Sequence, residues 1–138
     1  MKVVIIDGQG GKMGKLLIER IKSAETDCEI TAVGTNSIAT SVMLKAGAEN
    51  GATGENAVIV ACRDADIIVG PVGIVVADSL LGEISPAMAV AVGQSKAKKL
   101  LIPVNLCNNI IVGTASLSLS RLIAEAAQHL GAAQPINE

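Results

Sequence analysis

Between Lys2 and Ala24 the chain reads as strand, glycine turn and helix, and that succession restricts the fold more than any other feature. Lys2 to Asp7 is a run of valine and isoleucine that stops at a glycine cluster, as a strand buried on both faces does. Met13, Leu16, Leu17, Ile21 and Ala24 then recur at helical spacing, with Lys15, Glu19, Arg20 and Lys22 on the other face. A strand buried on both faces needs helices over both. The expected class is therefore α/β, a single-domain Rossmann-like three-layer sandwich with a mostly parallel sheet.

The rest of the chain continues the alternation. Glu29 to Val33 is expected as the second strand and Ile38 to Ala46 as a helix capped by Asn36 or Ser37. Gly47 to Gly54 reads as a glycine-rich polar connection. Residues 55–65 fit a strand over Ala57 to Cys62 or a helix ending near Arg63 or Asp64. The helix is preferred, because the clearer strand, Asp66 to Gly70, needs a crossover before it. Ser85-Pro86 starts a helix that ends near Gly93. Leu100 to Val104 and Asn109 to Val112 are expected as further strands, and a last helix starts at Ser116 or Ser118 and stops before Gly131. The expected organisation is a nucleotide-binding domain over residues 1–131 and a loose tail over residues 132–138.

Composition removes several functions. The 138 residues contain no Phe, Trp or Tyr, so no aromatic platform can stack single-stranded nucleic acid. A net charge of −2 gives no basic footprint for a phosphate backbone, and no nucleic-acid partner is expected. One histidine, His129, cannot build a multi-histidine metal site, and no metal is expected. Cys28, Cys62 and Cys107 form no Cys-x-x-Cys pair and read as reduced thiols of a cytoplasmic protein. No targeting segment is read at the start, where Asp7 cuts the apolar run. The apolar stretch Ile67 to Ala77 falls short of the ~20 residues of a membrane span, so no membrane partner is expected. Only 17% of residues are charged while 50% are hydrophobic, which points to a homo-oligomer, first of all a dimer. The aliphatic segment from Val72 to Leu81 and the helix after Pro86 are the candidate interfaces.

The main chemical signal is Gly8-Gln9-Gly10-Gly11-Lys12-Met13-Gly14, set between strand and helix. Glycines there allow a tight turn, and the helix N-terminus offers free N–H groups to a phosphate. G-x-G-x-x-G fails, because its last glycine falls on Met13; the pattern that fits is G-x-x-G-x-x-G on Gly8, Gly11 and Gly14. The ATPase loop fails at Gln9 and at Leu16. A glycine turn that merely packs helix on sheet is the other reading. The segment V-V-I-I-D-G-Q-G-G-K-M-G-K-L-L-I resembles the N-terminal fingerprint of the dihydrodipicolinate reductases, which bind NAD(P)H through a G-x-x-G-[RK]-M-G turn. The resemblance covers about the first quarter of the chain and implies NAD or NADP as cofactor. Along its whole length, through I-D-G-Q-G-G, A-V-G-T-N, A-T-G-E-N-A, A-D-I-I-V-G-P and L-I-P-V-N, the sequence is similar to a family of short bacterial proteins with no assigned function.

The other candidate site residues lie at the carboxyl ends of the later strands, the edge where parallel sheets bind ligands. Thr35 and Asn36 stand where an acid would bind ribose; they can contact ribose or cap the next helix. Gly70, Pro71, Val72 and Gly73 follow the third expected strand, and Asn105 the fourth. Without an acid beside Thr35, little discrimination between NAD and NADP is expected. Asp78 and Glu83 flank a connection that can cover the site, and no catalytic residues stand out. The favoured reading is a nucleotide-binding protein, with NAD(P) as the ligand class and a small phosphate-bearing molecule as the minimum. A small NAD(P)-dependent oxidoreductase completed by oligomerisation and a non-enzymatic assembly module remain the alternatives.

Overall fold

The computed structural model describes residues 1–104, 108–114 and 116–132. Five parallel strands form one sheet: β1 (Lys2–Asp7), β2 (Glu29–Gly34), β3 (Asn50–Thr53), β4 (Ile67–Pro71) and β5 (Lys98–Ile102), in the order β3-β2-β1-β4-β5. The helices are α1 (Lys12–Ser23), α2 (Ser37–Lys45), α3 (Glu55–Asp64), α4 (Pro86–Gln94) and α5 (Leu119–Ala132). The architecture is the expected three-layer α/β sandwich.

The alternation along β1 explains the layers. Val3 and Ile5 face a core with Leu17, Ile18 and Ile21 of α1, Met43 of α2, and Ile123 and Leu130 of α5. Val4 and Ile6 face the other core, with Val58 and Cys62 of α3 and Met88 and Val92 of α4. Both sets are buried, so the strand carries no polar face.

Four expectations are corrected. Residues 47–54 are more than a connection, because β3 lies within them and pairs with Thr31 to Gly34 of β2. Its side chains are largely exposed at the sheet edge, and no apolar alternation marks it. The strand expected at Leu100 to Val104 begins two residues earlier, at Lys98, and ends at Ile102. Lysine on an edge strand discourages pairing with another chain. Asn109 to Val112 is turn and coil rather than strand, with Thr114 N–H donating back to Ile111 O. Gly131 lies inside α5 instead of ending it. Within residues 55–65 the helix is Glu55–Asp64; of the tail expected at 132–138, Ala132 still belongs to α5, and 133–138 lie outside the described residues.

The chain runs outward from β1 to β3, then crosses by α3 to place β4 on the other side of β1. The segment after β1 therefore leads to α1 on one face, and the segment after β4 leads to α4 on the other. Between strands whose connections part in this way a crevice opens at the carboxyl edge.

Candidate functional site

Gly8 to Gly11 makes a tight turn, with Gly11 N–H donating to Gly8 O at 3.0 Å. Gly11 precedes α1 in the left-handed region at φ 74°, where a Cβ would also meet Ala39 Cα of α2 at 2.9 Å. Gly14 sits against the Met43 side chain, and a Cβ there would overlap its sulfur. Two of the three patterned glycines thus owe their place to α1 lying close on α2. Gly10 differs: it is exposed and a Cβ on it would meet nothing within 4 Å. Of the pattern, Gly8 alone faces the crevice, with Thr35 Oγ1 2.6 Å and Leu80 Cδ1 3.0 Å from a Cβ placed on it.

Two carboxylates organise this turn. Asp7, 4% exposed at the end of β1, accepts the Gly8 and Gly14 N–H groups, each at 2.8 Å. It caps α1 from outside the helix, since Gly11 has no side chain to do so. Burial raises its carboxyl above the ordinary value; the two N–H donors oppose the rise and the charge of Glu83 adds to it.

Glu83 arrives from the segment between β4 and α4. Its Oε1 accepts from Thr35 Oγ1 at 2.8 Å and from Asn36 Nδ2 at 2.6 Å, and Gln9 N–H bridges Oε1 and Oε2 at 3.1 and 3.2 Å. Burial works to raise its carboxyl, but the Asn36, Thr35 and Gln9 donors outweigh it and hold it below the ordinary value. Asn36 serves twice more: its Nδ2 donates to Gln9 O, and its Oδ1 accepts Ala39 N–H as the cap of α2. The segment is built to place Glu83 there. Asp78, Leu80, Leu81 and Gly82 all have positive φ, Asp78 N–H donates to Ile84 O, and Ile84 N–H donates to Ser79 O. Leu80 is buried beneath Gly8 while Leu81 is 96% exposed.

The structure brings Gly8, Gln9, Thr35 and Asn36 together around Glu83, with Gly10, Lys12 and Met13 alongside in the turn and first helical turn. Among the described residues the N–H groups of Gly10, Lys12 and Met13 have no acceptor. Gly70, Pro71 and Gly73 are buried: a Cβ on Gly70 would lie 2.5 Å from Ile6 O, and one on Gly73 2.9 Å from Ser79 Oγ. Val72 is half-buried. Asn105 and Cys107 lie outside the described residues. In the sequence, Asp7 only ends the apolar run of β1, and Glu83 only flanks a connection that can cover the site. A charge directly after a doubly buried strand was the available signal for Asp7. Glu83 had none, because its partners are 47 to 74 positions away.

Other groups stand apart. Burial pushes the Cys62 thiol up to about 11, so it is no nucleophile at neutral pH. His129 is half-exposed on α5 beside Glu125, at 3.9 Å. Among the described residues no group of three or more His, Cys, Asp or Glu can hold a metal ion, and no helix is long and apolar enough to cross a membrane. A cavity of about 280 Å³ lies between β5 and α5, lined by Lys99, Leu101, Pro103, Leu122 and His129 among others.

A family model described as "Domain of unknown function (DUF3842)" matches residues 2–134. No curated protein matches. Among solved structures, one match is the crystal structure of a dodecameric FMN-dependent Ubix-like decarboxylase from Escherichia coli O157:H7. It shares 13% identity at a TM-score of 0.46, over 100% of this chain and 98% of that chain.

Proposed function

The chain belongs to that family of unknown function, and we propose from its own site that it is a nucleotide-binding protein, with NAD(P) as the favoured ligand class. The observation that carries this reading is the set of unpartnered N–H groups on Gly10, Lys12 and Met13, at the carboxyl edge where the connections of β1 and β4 part. Three donors at a helix N-terminus suit a phosphate. Asp7 supports the same assignment by occupying Gly14 N–H and leaving the donors of the two preceding residues free. Glu83, held by Thr35 and Asn36, offers a carboxylate to a sugar, and Val72 follows β4 at the same carboxyl edge. The group fits these residues as a binder; nothing in the arrangement assigns a reaction.

Gly10 provides the test, because it carries one of the free donors itself and a Cβ on it meets no protein atom within 4 Å. Wild-type protein is expected to bind NADH saturably, followed by fluorescence, and Gly10→Val to lose at least about tenfold in affinity with an unchanged melting curve. Equal binding by both proteins counts against the phosphate assignment.

A further inference from the structure

We propose that Glu83 supplies the ribose-recognising carboxylate of this site from the segment before α4, and that it selects a nucleotide with a free 2′-hydroxyl over one carrying a 2′-phosphate. The inference rests on the nucleotide reading above. In dinucleotide-binding sheets an acid at the end of the second strand accepts the ribose hydroxyls. Here that strand ends in Gly34, followed by Thr35 and Asn36, and neither can provide a charge. The structure brings a carboxylate to the same place by another route: Glu83 Oε1 lies on Thr35 Oγ1 and Asn36 Nδ2, and its head bridges the Gln9 N–H of the glycine turn.

The two oxygens are unequally used. Oε1 takes three protein donors, whereas Oε2 receives only the shared Gln9 N–H at 3.2 Å. An ionised carboxylate oxygen accepts about two hydrogen bonds, so Oε2 keeps capacity for a ligand hydroxyl. Thr35 and Asn36 then act as positioning residues: they hold the carboxylate in one orientation and leave ribose to it. A 2′-phosphate at the same point would face a fixed negative charge with no arginine among the atoms that contact Glu83. The little discrimination expected from Thr35 and Asn36 alone is thereby replaced by a preference for NAD-type nucleotides.

The segment's geometry agrees with a function at Glu83. Three non-glycine residues, Asp78, Leu80 and Leu81, adopt φ between 55° and 64° just before it. Left-handed backbone at such residues is costly and tends to persist where it positions a working group.

The experiment is calorimetric titration of NADH and NADPH into wild type, Glu83→Gln and Glu83→Asp, each checked for folding by its melting curve. Wild type is expected to bind NADH at least about tenfold tighter than NADPH. Glu83→Gln, which keeps the shape but not the charge, is expected to lose NADH affinity about tenfold and bring the two nucleotides within about threefold. Glu83→Asp, one methylene shorter, is expected to weaken NADH without gaining NADPH. Wild type that binds both nucleotides equally overturns the assignment of Glu83 and leaves the nucleotide reading standing. So does Glu83→Gln with an unchanged ratio, or with tighter binding of both, which would make the carboxylate a plug. Wild type that binds neither overturns both.

Discussion

Asp7 and Glu83 both accept hydrogens from the glycine turn, yet their protonation responds to different surroundings. Glu83 is held below its ordinary 4.5, so the stability it contributes is present above that pH and is lost as pH falls through the folded value. Asp7 is raised above 3.8, so the folded state holds its proton more tightly, and its contribution declines as pH rises from 3.8 through the folded value. Urea unfolding of wild type, Asp7→Asn and Glu83→Gln across the acid range should separate the two. The wild-type advantage over Glu83→Gln shrinks toward acid, and the wild-type stability relative to Asp7→Asn falls as pH rises. Parallel curves would contradict both environments. The glycines make a second prediction at this scale. Gly11→Val forces a branched side chain into left-handed backbone against Ala39, and Gly14→Val displaces Met43. Each is expected to destabilise by about 3 kcal/mol or more in urea, so neither can report binding in a folded protein.

The caps and the β4–α4 segment carry the predictions at the level of elements. Ser85 Oγ accepts Met88 N–H at the start of α4, with Pro86 in the first position. Ser85→Ala should cost about 1 kcal/mol in urea unfolding and leave nucleotide affinity alone. Asn36→Ala removes both the cap of α2 and a donor to Glu83, and should lower stability and NADH affinity together. Leu81→Gly relieves backbone at φ 56° without emptying any core, since the side chain is 96% exposed. It is expected to gain about 0.5 kcal/mol, where Leu80→Gly loses buried packing and should destabilise by about 2 kcal/mol or more. What was legible in the sequence follows the same division. β1, α1 and the Ser85-Pro86 start of α4 announce themselves because periodicity and caps are local. β3 does not, because Asn50-Gly51-Ala52-Thr53 is an exposed edge strand that, among the described residues, pairs with β2 alone. At the site, the turn was readable as a motif, but the packing duties of Gly11 and Gly14 came from α2. The junction of Gln9, Thr35, Asn36 and Glu83 exists only once three separated segments meet.

For the whole molecule, the low charge leaves apolar side chains on the outside: Val60 on α3 and Val90 on α4 are about half exposed, and Leu81, Ile110 and Val112 more so. Since α3 and α4 pack together on one face of the sheet, that face is the candidate surface for a second copy. Light scattering should give twice 14.0 kDa, with Val90→Glu shifting the mass toward that of one chain. A mass of 14.0 kDa throughout a dilution series would remove the dimer. The binding site itself is most directly tested by amide NMR of the wild-type chain during titration with NADH. The Gly10, Lys12 and Met13 N–H resonances, together with the Glu83 amide, are expected to shift first and saturate together. Shifts confined instead to Lys99, Leu101, Leu122 and His129 around the β5–α5 cavity, with the glycine turn unmoved, would contradict a nucleotide site at the carboxyl edge of β1.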